Sequence, residues 1–264
     1  MKSFRRKTLT DQVVFVGCGL HSGKPVKVVV KLGDSGISFN GVLALPSNVT
    51  DTSRCTRLGG VSTVEHLMSA FAALGITDAV VEVDGGEMPA MDGASESYFI
   101  QLSKVATTYL GEKSVEGELA VDHVEGDVRV TVSPGTGVWR YEFECGDRWP
   151  HSQHFEVVLN AQTYAKEVAP ARTFAFESEM ETVHKAGLGQ GLDGTTAFLI
   201  GTSGYVNKTR FEDEPARHKM LDLIGDLYLS GVPIEMLDVV ASRSGHKANV
   251  AVAQKLRDAV VFSD

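Results

Sequence analysis

No segment limits the folding of this chain more than residues 212–230, EDEPARHKMLDLIGDLYLS. Acidic residues open it, Pro215 sits near its start and Gly231 follows it, which predicts one long helix with a clear beginning and end. Four residues along a helix are about 6 Å of rise, so His218 and Asp222 share a face, with Asp226 one turn further on. A row of His, Asp and Asp beside the apolar Met220, Leu221, Ile224 and Leu227 is hard to explain as core packing. Two readings stay open at this point: a solvated polar stripe, or a set of ligands, since both residue types bind zinc.

The rest of the chain alternates between two hydrophobic periods. Residues 26–32 (VKVVVKL), bounded by Pro25 and Gly33, read as a strand. Residues 37–45 read as a strand pair around Asn40-Gly41. Residues 62–74 (STVEHLMSAFAAL) read as a helix, with Ser62 and Glu65 as a capping box and Gly75 as the C-cap. A strand follows at 79–83, a loop at 85–93 and a second helix at 98–110. The Gly-, Glu- and Lys-rich stretch 111–117 predicts a domain boundary. Strands then follow at 118–123, 127–132, 139–144, 155–159 and 197–200, with a final helix over 248–260. Both halves run from strands to helices without a sequence repeat. The expected fold is α+β, with two similar two-layer domains, 1–110 and 111–264, each a sheet packed against helices.

Bulk properties exclude several classes. The chain has 264 residues, enough to bury a core in one large or two small domains. Its net charge of −9 argues against non-specific nucleic-acid binding, though not against a small anion held by local lysines and arginines. Cys18, Cys55 and Cys145 form neither a disulfide framework nor a Cys-x-x-Cys site, so a reduced cytoplasmic protein is expected. The basic start resembles a signal-peptide n-region, but polar residues follow it and the apolar stretch 13–16 is too short. No run approaches the roughly 18 apolar residues of a membrane span.

The shorter helix carries Glu65-His66. Alone the pair is weak evidence, since Glu65 suits the capping box and His66 suits a half-buried core site. Together with His218 and Asp222, however, three neutral or anionic ligands would leave a fourth zinc position open, as a catalytic site requires. Glu65 could accept a proton from water whose pKa zinc lowers to about 7. His246, in the loop Ser244-Gly245-His246-Lys247, is a spare titratable group for a leaving amine.

Longer motifs connect these residues. Gly19-Leu20-His21-Ser22-Gly23, Thr63-Val64-Glu65-His66-Leu67, Met91-Asp92-Gly93, Ala171-Arg172-Thr173-Phe174, Arg210-Phe211-Glu212-Asp213-Glu214, His218-Lys219-Met220-Leu221-Asp222 with Gly225-Asp226, and Ser244-Gly245-His246 occur in this order. From about Gly17 to Lys255 the chain resembles the UDP-3-O-acyl-N-acetylglucosamine deacetylases of bacterial lipid A synthesis. The resemblance implies zinc held by His66, His218 and Asp222, and Glu65 as general base. It implies that His246 protonates the amine or steadies the oxyanion. Thr173 matches an oxyanion-holding hydroxyl, Lys219 a substrate contact, and Asp226 the group that orients His246. Phe174 matches a sugar-site residue, and Cys55 a cysteine near the metal that is not a required ligand.

The resemblance also implies an acyl passage in an insert at about 177–198, with Met180, Val183, Leu188 and Phe198 as its lining. Lys219, Lys247, Arg172, Lys208 and Arg210 are the candidates to meet a diphosphate. The sequence departs from the family in being shorter around 40–60 and 111–161. Glu179 stands where an aspartate is usual, and a second-domain substrate lysine has no counterpart. The expected activity is hydrolysis of the N-acetyl group of UDP-3-O-(3-hydroxyacyl)-N-acetylglucosamine by a cytoplasmic monomer that touches a membrane surface at most transiently. The alternatives are a different N-acetyl sugar or shorter acyl chain, and a non-catalytic zinc-binding homologue.

Among the remaining candidates, His151 and His154 read as surface residues, and His123 and His184 carry no functional reading. His21 lies in a Gly-rich turn that is not a phosphate loop and is expected to shape a hairpin. Cys55 has no adjacent group to activate its thiol.

Overall fold

The computed structural model describes residues 2–105 and 107–263; Ala106, within the expected 98–110 helix, lies outside them, as do Met1 and Asp264. After β1 (Lys2–Leu9), the first half runs β2 (Val13–Cys18), β3 (Pro25–Leu32), β4 (Ile37–Phe39) and β5 (Val42–Leu43). A small pair, β6 (Val49–Asp51) and β7 (Arg57–Leu58), leads to α1 (Glu65–Leu74), β8 (Ala79–Val83) and α2 (Glu96–Ser103). Beyond β9 (Thr107–Gly117) come β10 (Val121–Glu125), β11 (Val128–Pro134), β12 (Val138–Glu144) and β13 (Ser152–Val158). The chain continues through α3 (Ala161–Thr163), β14 (Phe174–Phe176), α4 (Met180–Lys185) and β15 (Phe198–Ile200). It ends with α5 (Glu214–Tyr228), β16 (Leu237–Ser242), α6 (His246–Ala259) and β17 (Val260–Ser263).

The two halves share one plan. The first sheet has the order β2-β3-β8-β4-β5 and the second β10-β11-β16-β12-β13. In each, a single neighbouring pair is parallel, β4 with β8 and β12 with β16. A parallel pair needs a long crossover, and α1 and α5 lie on those two crossovers. Strand side chains alternate, as period-2 geometry demands: Phe15, Val28 and Val30 are buried, while Val14 and Val16 face solvent. One continuous core joins the buried sheet faces to α1 and α5. Fully burying a residue such as Leu67, Phe71, Leu221 or Ile224 contributes about 1.5–3 kcal/mol.

The two helices cross at very close range. A Cβ on Gly225 would lie 2.0 Å from the Glu65 carbonyl oxygen, so only glycine permits this approach. This contact brings Glu65 and His66 alongside the His218–Asp222 turn.

Several sequence expectations are corrected. The helix expected from Ser62 starts at Glu65 and has no capping box: the Glu65 carboxylate turns away to the Thr56 amide. Gly75 does cap it, at φ 64°. The second helix ends at Ser103. The stretch 111–117 is strand, paired with β1 on one side and β17 on the other. Gly117 there serves close packing, since a Cβ would lie 2.1 Å from the Ala259 carbonyl oxygen. The last helix begins at His246, two residues earlier than expected, so His246 opens a helix instead of sitting in a loop. Among the described residues, no helix is long and apolar enough to cross a membrane.

Candidate metal centre and cleft

His66 enters from the first turn of α1, and His218 and Asp222 from successive turns of α5. All three are buried. The Asp222 Oδ1 atom stands 3.6 Å from His66 Nε2 and 3.5 Å from His218 Nε2. That carboxylate oxygen is buried and has no hydrogen-bond partner among the described residues. A buried charged oxygen without a donor is costly, and a cation between it and two imidazoles would remove that cost. The donor set of two nitrogens and one oxygen fits zinc, so the residues present suit the metal the sequence implies.

Their protonation suits it too. His218 Nδ1 lies 3.1 Å from the Ala171 carbonyl oxygen, which assigns the proton to Nδ1 and turns the Nε2 lone pair inward. Burial lowers the His218 imidazole to about 4, against the upward pull of the Asp222 carboxylate and with smaller help from His66 and Lys219, so it is neutral at pH 7. Burial alone would raise the Asp222 carboxyl, but Lys219 and the surrounding histidines hold it well below the usual range. Lys219 Nζ donates to Asp222 Oδ2 at 2.8 Å, so the ammonium sits on the ligand carboxylate.

Glu65 and His246 flank this centre. Glu65 Oε2 accepts from the Thr56 amide at 3.0 Å, and Oε1 lies 3.9 Å from His246 Nε2. Burial raises the Glu65 carboxyl to about 7, against the pull of His246 and His66. A carboxyl near neutrality can both take and give a proton. His246 Nδ1 lies 3.0 Å from Asp226 Oδ2. Burial alone would lower the His246 imidazole, but Asp226, Asp222 and Glu65 raise it to about 9, so it is an imidazolium at pH 7.

Asp226 is held in turn by Thr56 Oγ1 at 2.5 Å and Asn249 Nδ2 at 3.0 Å. Thr56 therefore orients the base through its amide and the His246 partner through its hydroxyl. Nothing in the sequence marks a lone threonine for this work, and sequence reasoning missed it along with Asn249.

These groups open onto a cleft of about 300 Å³. Thr173 and Phe174 line it as expected, with Val183 from the insert. His21, Arg54 and Arg148 also line it, and neither arginine was expected there. His21 does lie in the β2–β3 hairpin turn, where Glu87 accepts from the His21 and Ser22 amides. Both His21 ring nitrogens are buried and without a partner among the described residues, and burial lowers this imidazole, leaving it neutral.

Other expected contacts lie elsewhere. Arg172 is buried in an ion pair with Glu214, at 3.1 Å, and donates to the Lys208 carbonyl oxygen; it faces the interior, not a diphosphate. Arg210 pairs with Asp92 and Glu96, whereas Lys247, paired with Glu125, lines a pocket that it shares with Lys219 and His246. Phe198 is fully buried and stacks on Phe174 at 5.5 Å, so it supports the cleft wall from behind. Leu188 faces a neighbouring pocket, and Met180 is not part of the cleft lining. Burial pushes the Cys55 thiol up to about 12, so it is no thiolate.

The insert crosses to the first half. The Gln190 and Gly191 amides donate to the His21 and Leu20 carbonyl oxygens, and a Cβ on Gly191 would lie 2.2 Å from the Gly19 oxygen.

Comparison with known proteins adds an independent line. A family model described as LpxC, UDP-3-O-acyl N-acetylglycosamine deacetylase, matches residues 6–258. A UDP-3-O-acyl-N-acetylglucosamine deacetylase of Syntrophotalea carbinolica is 33% identical over 271 residues, covering 95% of this chain and 87% of its own length. One from Cellvibrio japonicus is 36% identical over 269 residues, covering 93% and 88%. One from Anaeromyxobacter dehalogenans is 34% identical over 273 residues, covering 97% and 88%.

Proposed function

The chain belongs to the UDP-3-O-acyl N-acetylglycosamine deacetylase family, and on that premise we propose how its own residues carry out the reaction. It is a deacetylase of lipid A synthesis, hydrolysing the N-acetyl group of a UDP-3-O-acyl-N-acetylglucosamine to acetate and a free amine. The finer reading takes zinc as the metal, a 3-hydroxyacyl group on the sugar, and a cytoplasmic monomer divided near residue 110.

The observation that carries the site reading is the orphaned Asp222 Oδ1 between two inward-facing Nε2 atoms, with Glu65 beside it. His66, His218 and Asp222 would hold the ion; bound there, zinc would supply Lewis acidity to an amide carbonyl and ease the loss of a proton from water. Glu65, fixed by the Thr56 amide, accepts that proton. Thr173 offers its hydroxyl to the oxygen that gains charge. His246, kept protonated by Asp226, delivers a proton to the departing nitrogen. Lys219 steadies Asp222 and keeps a positive charge at the cleft. Phe174, backed by Phe198, gives the sugar a flat wall.

A shorter acyl chain is the second reading, and one observation favours it: Phe198, expected in the passage lining, is fully buried behind Phe174 and absent from the cleft lining. Rates with long and short 3-O-acyl groups separate the two.

The test is acetate release from UDP-3-O-acyl-N-acetylglucosamine by metal-stripped protein before and after zinc is returned. Zinc-restored turnover supports the assignment. Tight binding of one zinc per chain without turnover overturns the substrate assignment and leaves the ligand set intact.

A further inference from the structure

A second cavity, of about 360 Å³, opens at the far end of the α1–α5 pair and shares no lining residue with the catalytic cleft. Met68 of α1 and Tyr228 of α5 face it, the latter about 9 Å beyond Asp222 along the helix. The third sheet, in which β9 pairs with both β1 and β17, supplies Phe4, Lys113 and Phe262.

The charges in this cavity do not balance. Arg6 pairs with Asp78, which also accepts from Thr77 and the Gly36 amide. Asp34 is exposed and accepts from Ser35 Oγ at 2.7 Å. Lys113 and Arg257 are half-buried, and neither forms an ion pair among the described residues. Both instead face one ring: Lys113 Nζ lies 5.5 Å and Arg257 Cζ 4.5 Å from the Phe262 centroid.

Arg257 gives one donor, Nη1, to the Ser230 carbonyl oxygen at 3.3 Å, which leaves most of its five N–H groups uncommitted. Gly231, at φ 78°, makes room for it, since a Cβ would lie 3.1 Å from Nη1. Two like charges on one ring repel, and partial burial deprives them of water without supplying an anion. In a chain of net charge −9, such a pocket is a local exception that calls for a negative group. The apolar Ile37, Leu45 and Met68 in the same wall call for carbon beside it.

We propose that this cavity binds an organic anion with an apolar body. Its acid group sits between Lys113 and Arg257, and its carbon part lies against Phe4, Ile37 and Met68.

The test uses 8-anilino-1-naphthalenesulfonate as the anionic probe and N-phenyl-1-naphthylamine, which lacks the sulfonate, as its neutral counterpart. Fluorescence titration of the intact protein is expected to show one saturable sulfonate site. Lys113→Gln or Arg257→Gln is expected to weaken it about tenfold, the effect of one lost charge-assisted contact. The neutral probe should bind about tenfold more weakly and ignore both substitutions. Acetate release should stay at the parent rate in both variants. If Arg257→Gln fails to fold by circular dichroism, Lys113→Gln decides alone. Absence of a saturable site, equal affinity in parent and variants, or equally tight binding of the neutral probe each overturns the proposal.

Discussion

The two halves of this protein share a sheet topology and differ in what interrupts it. In both, the interruption falls between the last antiparallel edge strand and the crossover helix. In the first half it is the short β6–β7 pair, whose connecting turn carries Cys55 and Thr56 before the chain reaches α1. In the second half it is longer and contains β14, α4 and β15 before α5 begins. The repeated plan sets where α1 and α5 cross and therefore where His66, His218 and Asp222 meet. The two interruptions supply the remainder: Thr56 positions the base and Asp226, while Thr173, Phe174 and Val183 form the cleft. A common scaffold thus brings His66, His218 and Asp222 together, and unequal insertions at equivalent points shape what surrounds them.

Substitutions can break this comparison at graded cost. Asp222→Ala removes a proposed metal ligand supplied by the scaffold itself, and activity should fall by about three orders of magnitude or more with loss of bound metal. Acetate release and elemental analysis of the same sample check it. Glu65→Gln keeps the ligands and should lower turnover by about 10²–10⁴-fold with metal content unchanged. Retained turnover in a zinc-loaded variant would remove Glu65 from the mechanism.

Arg172→Met tests the anchoring of the second interruption, because it leaves Glu214 buried without its cation, held only by the Arg172 and Arg210 amides. The expected cost is about 3–5 kcal/mol in urea unfolding. Gly225→Ala tests the scaffold, since the new methyl group must push the Glu65 backbone away. It should cost about 1–3 kcal/mol and displace base and ligands together, so stability and turnover fall in parallel.

Asp78→Asn is the mildest. Burial would raise this carboxyl, but Arg6, Thr77 and the Gly36 amide outweigh it and leave it below the ordinary value. A carboxyl with a depressed folded-state pKa stabilises the protein fully above the ordinary carboxylate range, and that contribution fades as pH falls through the folded value. The variant should lose about 1 kcal/mol at pH 7 and show a shallower decline of thermal midpoint toward pH 3. Identical midpoints at pH 7 would mean the Arg6–Asp78 pair contributes nothing.

Much of this was legible in the residues themselves. The spacing of His218 and Asp222, the acidic start of α5, Pro215 and the glycine stop at Gly75 are local signals, and they describe real helices. Alternating runs such as 26–32 and 139–144 became strands with one buried face. The misreadings were also local. Glu65 fits a capping box by spacing alone, yet its carboxylate is needed at Thr56. The composition of 111–117 suits a boundary, yet the stretch is strand, and Gly117 lets it pass close to the Ala259 carbonyl oxygen.

By itself the sequence determined the α+β class, the long helix and the residue types able to hold a metal, because these depend on periodicity and ligand chemistry over a few turns. Tertiary structure alone decided that Glu65 sits 3.9 Å from His246. It alone decided that Thr56 joins them through Asp226, that Arg172 faces inward and that Lys113 and Arg257 share one ring. Those contacts link residues far apart in the chain, and they exist only because two helices cross at a glycine and three distant strands close one sheet. No local pattern encodes such a crossing.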